Sequence, residues 1–454
     1  MGSYHPSWRG VTFHDVVPAG VMTARAFLEA CLERIAAREG VVRALVARIP
    51  DEEARRLADE SDRRRAAGRP LSPIDGMPIG IKDLIETADM PTQMGCRAYE
   101  GNWPRRDSAM VQALKAAGAI ILAKTVTTEL GMSEPGPTTN PWDPARTPGG
   151  SSSGSAAAVA AGFVPVAIGT QVLGSIIRPA AFCGNWALKP SQGAINRGER
   201  QATSQSTAGP HANCAEDAWL VAREISRRVG GDPGTPGLLG PLSPPAPLRP
   251  MRLSVLRTEA WPRIDAKSQE LFTRYVRSLP VEVIWPEDHP LLARLEEAVG
   301  EAMAVGNMIT AFENRPGFLN LPREKLSRRL LARLDASLAW DQQDYMVALA
   351  RRAAMRAAHA AAAQVCDAIL APACPGPAPL WDPKAPDADA NPRPTGDPAA
   401  NAATSALGCP AFTLPVLAVD GLPMGVQVIG LPQQDAQVVA IGRWLYAAAP
   451  HLAV

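Results

Sequence analysis

Apolar and polar positions along the chain follow helical and strand periods in turn, and together they predict an α/β protein. Apolar residues recur about every fourth position in 22–38, which predicts an amphipathic helix with Thr23 as its N-cap. The apolar, β-branched runs at 41–49 and 119–125 are typical of buried strands. Further strands are predicted at 76–86 (interrupted by Gly80), 164–168, 253–256, 367–371, 411–419 and 423–430, and further helices at 51–68, 107–118, from 127 onward, 215–229 and 435–449.

The order of these elements indicates how the chain is organised. Helices and strands alternate between 105 and 190, which implies a sheet that is at least partly parallel. Residues 265–366 are almost wholly helical in pattern. Three segments are predicted to be irregular: a polar loop at 190–209, a Gly- and Pro-rich linker at 230–250, and a Pro-rich loop at 374–398. A loop as long as the last is typically functional or mobile.

Composition narrows the class of function. The 454 residues are 46% hydrophobic and carry a net charge of +1, without a long block of like charge. These features argue against a nucleic-acid or membrane surface and favour a small substrate. The seven cysteines form no CxxC pair, so a zinc site or a disulfide framework is not expected, and a reducing cytoplasm is the simpler location. Neither a secretory signal nor a membrane-spanning apolar run is expected.

The stretch 149–190 carries the strongest chemical signal. It contains a Gly/Ser loop, a small-residue helix, an apolar strand and a second Gly-containing turn that ends at Ser175. Ser152 lies in a G-x-S-x-G pattern, but no apolar strand precedes it, as a nucleophile elbow would require. The loop could also be an anion-binding loop at a helix N-terminus, or a simple tight turn.

Lysine offers a different way to activate a serine. Lys82 lies in an apolar run with Ile79, Ile81, Leu84 and Ile85. Burial there would favour the neutral amine and lower the pKa from its reference of about 10.4, so that the amine could accept a proton from a serine. A structural lysine that reaches back to solvent is an equally open interpretation at this point.

Residues 76–87 and 149–190 resemble the amidase signature family. The resemblance rests on the order of a lysine, a Gly-Gly-Ser-Ser loop and a Gly-Thr-x-x-x-Gly-Ser-Ile segment. By this resemblance, Lys82 is the catalytic lysine, Ser151 the serine that follows a cis peptide bond, and Ser175 the nucleophile. Segments 203–219 and 405–430 resemble the family as well, so most of the chain is covered.

The resemblance also implies the fold and the remaining site residues. It implies an α/β fold with a large mixed sheet surrounded by helices, in a single domain at 1–454. Within it, 76–190 forms the catalytic core segment and 251–366 a mainly helical, variable subregion. The implied site residues are the backbone N–H groups of Val172, Leu173, Gly174 and Ser175 as oxyanion hole, Ser152, Thr170 and Gln171 as supporting residues, and Leu130, Gly131 and Met132 in the substrate pocket.

The function implied by the resemblance is hydrolysis of linear C–N bonds in amides, with anilides and carbamates (urethanes) as further candidates. The reaction would pass through an acyl-enzyme, without a metal or organic cofactor. The expected substrate is a small-molecule amide or carbamate, and the expected protein is a cytoplasmic monomer or homodimer without a nucleic-acid or membrane partner. Two rival functions are a glutamine amidotransferase-type subunit and a non-catalytic, amidase-like binding subunit.

Three positions depart from the family pattern. Gln171 stands where members commonly have Asp, Leu173 where they have Gly, and Ile177 where many have Arg, while this chain has Arg178. Leu173 would be strained if the turn required a positive φ. The missing aspartate and the 374–398 loop suggest a neutral, apolar substrate.

Overall fold

A single mixed sheet runs through most of the chain. The computed structural model describes residues 3–8, 10–132, 134–198, 203–385, 391 and 393–454. Within them the strands are β1 (Leu45–Arg48), β2 (Pro78–Lys82), β3 (Ile120–Thr125), β4 (Val166–Gln171), β5 (Trp186–Lys189), β6 (Thr207–Ala212), β7 (Arg252–Val255), β8 (Glu282–Ile284), β9 (Ala368–Pro372), β10 (Ala411–Val419), β11 (Leu422–Ile429) and β12 (Leu452–Ala453). Their order across the sheet is β1-β3-β2-β4-β6-β5-β10-β11-β9-β7-β8, and β12 pairs with β10. This arrangement confirms the expected mixed α/β fold.

Helices cover both faces of the sheet. They are α1 (Ala24–Val42), α2 (Asp51–Ala66), α3 (Ala109–Ala116), α4 (Ser153–Ala160), α5 (Ile177–Cys183), α6 (Ala215–Val229), α7 (Ala266–Arg277), α8 (Pro290–Ala298), α9 (Ala302–Leu319), α10 (Arg328–Ser337), α11 (Gln342–Ala362), α12 (Ala399–Leu407) and α13 (Asp435–Ala448). Every residue of β4, β10 and β11 is buried, as expected for strands covered on both sides. Among the described residues, no helix combines the length and the apolar character needed to cross a bilayer.

The parallel strands bring the two halves of the Ser/Lys motif together. β2 runs parallel to β4, with Ile81 opposite Ile168. The carboxyl ends of both strands, at Lys82 and Gln171, therefore lie at the same edge of the sheet. The Gly/Ser loop leads into α4, and the turn after β4 leads into α5, so both serine-bearing segments start from this edge.

Several predicted boundaries were wrong, each for a local reason. The first helix continues to Val42 and ends at Arg43, which has a φ of 52°, so the predicted strand 41–49 shrinks to β1. The helix predicted from 127 is only a short 3₁₀ turn at Glu129–Gly131, because Leu130 takes a left-handed φ of 50°. β2 runs through Gly80 without a break, but its pairing with β3 shifts register between Ile79 and Gly80.

Four strands were not predicted: β5, β6, β8 and β12. β6 begins at Thr207, inside the segment predicted as a polar loop, and β8 lies inside the region predicted to be almost wholly helical. The strand predicted at 164–168 extends to Gln171, so Thr170 and Gln171 are strand residues. Residues 199–202 of the predicted loop, and 386–390 and 392 of the predicted 374–398 loop, lie outside the described part of the chain.

The segment predicted as a linker packs along α6. Residues 230–250, all of which the structure describes, contain no helix or strand. However, Leu238 N donates to Ser226 Oγ over 2.7 Å, and Trp219 Nε1 donates to Pro241 O over 3.1 Å. The segment is therefore packed against α6.

Gly154 allows α4 to approach the edge of the sheet closely, and its replacement tests this packing. A Cβ at Gly154 would lie 2.3 Å from Ala44 O and from Val126 N, both backbone atoms that cannot rotate away. Gly154→Ala should lower the free energy of unfolding by roughly 1–3 kcal/mol. The measurement is the midpoint of thermal or urea unfolding.

Gly40→Ala is the matched control for this prediction. Gly40 also lies in a helix, α1, and a Cβ there would have no neighbour within 4 Å. This control should leave stability unchanged or raise it by up to about 1 kcal/mol through helix propensity. Equal midpoints for the two variants would contradict the close approach of α4.

Candidate active site

Lys82 ends β2 inside a cluster of hydroxyl groups. Its side chain is fully buried, which excludes a lysine that reaches back to solvent. The side-chain nitrogen Nζ lies 2.7 Å from Ser151 Oγ, 3.0 Å from Ser152 Oγ and 2.8 Å from Thr170 Oγ1. The carbonyl oxygen of Thr170 is a fourth neighbour at 3.3 Å. The structure thus places Lys82, Ser151, Ser152 and Thr170 in one hydrogen-bonded group.

The surroundings of Lys82 favour its neutral form. Burial lowers its pKa well below the ordinary lysine value, and the positive charge of Arg178 lowers it further. No carboxylate of the described residues lies within ion-pair distance of Nζ. A neutral amine has a lone pair, and the hydroxyl of Ser151 is placed to donate its proton to it.

Burial alone does not distinguish Lys82 from the other lysines. Lys124 and Lys189 are also fully or almost fully buried, and burial lowers the pKa of both. Lys124 has a carboxylate partner, since its Nζ lies 3.2 Å from Asp83 Oδ1. Lys189 donates to Pro190 O over 3.1 Å. Contact with the serine hydroxyls is what sets Lys82 apart from these two.

The Gly/Ser loop is held by the main chain and by Arg178. The peptide bond between Gly150 and Ser151 is cis. Arg178 Nη2 donates to Gly150 O over 2.6 Å, and Thr128 N donates to Ser151 O over 3.2 Å. These bonds fix the backbone on both sides of the cis peptide, so the Ser151 hydroxyl points at Lys82.

Ser152 does not have the setting of a nucleophile. Its side chain is fully buried and lines neither of the two cavities described below. Besides its contact with Lys82, its Oγ accepts from Thr170 N and donates to Thr170 O, both over 3.2 Å. The residue joins the loop to β4, which agrees with a supporting role and disfavours the nucleophile elbow.

Ser175 lies at the end of the turn that leads from β4 into α5. It is partly exposed toward a cavity that Val172, Leu173 and Gly174 also line. Its hydroxyl has no hydrogen-bond partner among the described residues, and it does not contact Ser151 directly. The N–H groups of residues 172–175 are likewise without a partner in the part of the chain described. The turn therefore presents a free hydroxyl and free amide donors to the cavity.

The departure at Leu173 causes no backbone strain. Neither Leu173 nor Gly174 has a φ in the left-handed region. The turn is thus built from conformations that any L-residue can adopt.

Gln171 fixes both ends of the same turn. Its Oε1 accepts from Ile176 N over 2.8 Å and from Ile177 N over 3.0 Å, which satisfies two N–H groups at the start of α5. Its Nε2 donates to Ser405 Oγ over 3.1 Å, and Ser405 Oγ donates to Leu173 O over 3.0 Å. The amide therefore supplies the acceptor that α5 needs without adding a charge.

Ile177 and Arg178 have different surroundings. Ile177 is fully buried in the apolar core. Arg178 is also buried, but it reaches the active-site edge, where its Nε donates to Thr395 O over 3.0 Å. Burial lowers the pKa of Arg178 to about 10, so the guanidinium stays charged at neutral pH.

Two cavities meet beside the serines and share Gly131, Met132 and Val172 as lining residues. The first, of about 620 Å³, is called the apolar cavity; its lining includes Ser151, Thr170, Leu84, Met94, Tyr99, Leu130, Phe318 and Leu321. The second, of about 420 Å³, is called the arginine cavity; its lining includes Leu173, Gly174, Ser175, Arg178, Asn307, Arg329, Arg333, Arg393 and Thr395. Leu130, Gly131 and Met132 line a cavity, where the family resemblance places them.

Sequence reasoning missed most of the far wall of these cavities. Helices α9 and α10 supply Phe318, Asn307 and Arg333, and the segment 393–398 supplies Thr395. These residues come from the region of the chain with the weakest motifs. Only the tertiary structure brings them to the serines.

One group of potential metal ligands lies outside both cavities. The ligand atoms of His14, Cys214 and Glu216 lie within 4.8 Å of one another. Cys214 already caps α6, because its Sγ accepts from Asp217 N over 3.4 Å. None of the three residues lines either cavity.

Comparison with known proteins agrees with this geometry. A family model described as Amidase matches residues 26–439. A glutamyl-tRNA(Gln) amidotransferase subunit from Chloroflexus aggregans (strain MD-66 / DSM 9485) is 43% identical over 228 residues, which are 48% of this chain and 46% of that protein. The chain thus spans about half the length of the curated relatives it matches.

Solved structures match over a longer part of the chain. The crystal structure of an amidase has a TM-score of 0.81 at 29% identity and covers 96% of this chain and 98% of that chain. The peptide amidase of Stenotrophomonas maltophilia has a TM-score of 0.72 at 27% identity and covers 95% and 96%. With a family model that matches most of its length and a fold shared with these structures, the chain belongs to the amidase signature family.

Proposed function

We propose that this protein is a serine hydrolase of amides in which Ser175 is the nucleophile, Ser151 the proton relay and Lys82 the base. The observation that carries this proposal is the hydrogen bond of 2.7 Å between Lys82 Nζ and Ser151 Oγ. The Lys82 amine is buried, and none of the described residues supplies a carboxylate partner for it. Burial favours the neutral amine of such a lysine, which can accept a proton, and the hydroxyl beside it is the group it can deprotonate.

The proposed reaction has two halves. Ser175 Oγ attacks the amide carbonyl carbon, its proton passes to Ser151, and the Ser151 proton passes to Lys82. Collapse of the tetrahedral intermediate breaks the C–N bond while the same chain of groups returns a proton to the leaving amine, which leaves poorly unless it is protonated. Water then attacks the acyl-enzyme, gives its proton to the relay, and releases the carboxylic acid and Ser175.

The turn 172–175 would stabilise the oxyanion. The N–H groups of Val172, Leu173, Gly174 and Ser175 have no partner among the described residues and line the cavity beside Ser175. Loss of one such donor typically raises the barrier by about 3 kcal/mol. Because Gln171 occupies the next two N–H groups, the donors left for the substrate are those of the turn itself.

The substrate class is a linear amide, with anilides and carbamates as further candidates. The apolar cavity offers Leu84, Met94, Tyr99 and Phe318 to a flat or aliphatic group next to the scissile bond. The peptide amidase that shares the fold is, by its name, an enzyme of amides, which supports this class.

A glutamine amidotransferase subunit is the second candidate function. The similarity to the glutamyl-tRNA(Gln) amidotransferase subunit from Chloroflexus aggregans, at 43% identity over 228 residues, favours it. The two candidates differ in whether the chain works alone and in whether it releases ammonia from glutamine. Activity of the purified single chain on aryl amides, without ammonia release from glutamine, separates the first from the second.

The nucleophile is tested with a fluorophosphonate probe. The wild-type protein should be labelled at Ser175, and Ser175→Ala should lose both the label and the hydrolysis of aryl esters and amides. Peptide mass spectrometry identifies the labelled residue. Labelling that persists in Ser175→Ala, or a label on Ser151 or Ser152, would show that the nucleophile is wrong, and a wild-type protein that takes no label would favour a non-catalytic binding subunit.

The base is tested by the pH dependence of kcat/KM for a neutral aryl amide. The active form has neutral Lys82, so kcat/KM should rise as the pH passes the pKa of Lys82. Because this pKa is lowered, kcat/KM should reach its plateau far below the pH at which an ordinary lysine loses its proton. Lys82→Ala should lower kcat/KM by roughly 100- to 10,000-fold and remove the acidic limb. Activity that emerges only above about pH 10 would be the profile of an ordinary, charged lysine and would contradict this assignment.

The positioning role of Gln171 is tested by two replacements. Gln171→Leu removes the acceptor and leaves two buried N–H groups unpaired, so kcat should fall by roughly tenfold or more, with a smaller change in KM. Gln171→Glu keeps the acceptor and should retain more of the activity. Steady-state kinetics on an aryl ester measure both. Equal losses in the two variants would show that the acceptor oxygen is not what positions the turn.

A further inference from the structure

Charge is distributed unevenly between the two cavities. Four arginines line the arginine cavity: Arg178, Arg329, Arg333 and Arg393. Among the described residues, no aspartate or glutamate lines it. Of the described residues that line the apolar cavity, Glu313 is the only charged one. The side of the site that holds Ser175 is therefore cationic.

Arg178 forms the floor of the arginine cavity and has no ion-pair partner in the described part of the chain. It is 4% exposed, and no carboxylate of the described residues lies within ion-pair distance. Its Nε and Nη2 are bonded to carbonyl and hydroxyl oxygens, but its Nη1 has no partner there. A Cβ on Gly174 would lie 3.2 Å from this Nη1, so the free side of the guanidinium lies beside the turn that carries Ser175.

Arg329 and Arg333 approach from α10, four residues apart and therefore on one face of the helix. Arg333 Nη2 donates to Asn307 Oδ1 on α9 over 2.8 Å. Arg329 Nε lies 3.0 Å from Glu134 Oε2. The bond to Asn307 helps to hold the Arg333 guanidinium at the wall of the arginine cavity.

Acids near this cavity pair with two of the other arginines that line it. Asp397 contacts both Arg393 and Arg263, and Glu134 contacts Arg329. Buried cations cost free energy unless a counter-charge accompanies them. Arg178 is the most buried of the four and lies beside the turn of Ser175; the field of Asp397 stabilises its charge, but no carboxylate of the described residues pairs with it directly.

We propose that the arginine cavity binds a carboxylate of the substrate, so that the natural substrate is an anionic amide whose carboxylate lies a few bonds from the scissile C–N bond. This inference rests on the proposed function and names its substrate class. A planar carboxylate matches the guanidinium fork with two parallel hydrogen bonds. It differs from the neutral, apolar substrate that the sequence suggests, because Arg333 and Arg393 come from segments without a motif.

The test compares matched pairs of substrates that differ only in this charge. The acyl-side pair is glutaryl-4-nitroanilide and its neutral methyl ester, and the amine-side pair is N-acetyl-4-aminobenzoate and its methyl ester. In at least one pair, the anion should have a kcat/KM roughly tenfold or more above that of its neutral partner. The pair that shows the preference tells which side of the scissile bond faces the arginines.

Arg333→Gln should abolish this preference. The variant should raise KM for the preferred anion by roughly ten- to one-hundredfold and so bring the kcat/KM ratio of anion to neutral partner close to one. Arg328→Gln is the matched control, because it removes the same charge from the exposed side of the same helix and does not line the cavity. It should keep the preference.

Two outcomes would overturn the inference: equal kcat/KM for anion and neutral partner in both pairs, or equal effects of Arg333→Gln and Arg328→Gln. Failure of the proposed function gives a different result. If Ser175 takes no fluorophosphonate label but glutarate raises the unfolding midpoint of the wild type and not of Arg333→Gln, the anion site stands and the hydrolase assignment falls. If Ser175 is labelled and neither pair shows a charge preference, the anion site falls alone.

Discussion

The site depends on one constraint, which is the burial of an amine among hydroxyl groups without a carboxylate. Lys82 meets it because the parallel pairing of β2 and β4 brings its strand end next to Thr170, while the Gly/Ser loop brings Ser151 and Ser152 from the other side. Lys124 shows the contrast one strand away, since Asp83 pairs with its ammonium group. A carboxylate beside Lys82 would stabilise the charged form and remove the base.

A second requirement is a turn that presents free amide donors without strain. Gln171 satisfies it by accepting the first two N–H groups of α5, which leaves those of the turn for the cavity. A neutral amide also avoids a negative charge close to Lys82 and to the developing oxyanion, both of which a carboxylate would affect through its field. The replacement of the usual acid by Gln171 is therefore compatible with the geometry of the turn.

The sequence predicted the parts of the molecule that local pattern determines. Most helices, most buried strands, the family and the meeting of Lys82 with Ser151 follow from periodicity and from motif order, whereas α5 and α12 were not predicted. β6 was missed because Gly209 and Pro210 hide the strand pattern, and β8 was missed because it is only three residues long. The burial of Lys124 and Lys189 was missed as well, because a neighbouring run of apolar residues does not tell where a long side chain ends.

The division of the site between two parts of the chain explains why its chemistry could be predicted and its specificity could not. Residues that would make and break bonds come from 76–190, where the order of lysine, loop and turn fixes their meeting point. The opposite wall comes from α9, α10 and the segment 393–398. The apolar period of a helix such as α9 or α10 predicts only which of its faces is buried. On α10 the same arginine-rich sequence places Arg328 in solvent and Arg333 in the cavity, and only the packing of α9 against α10 decides between them.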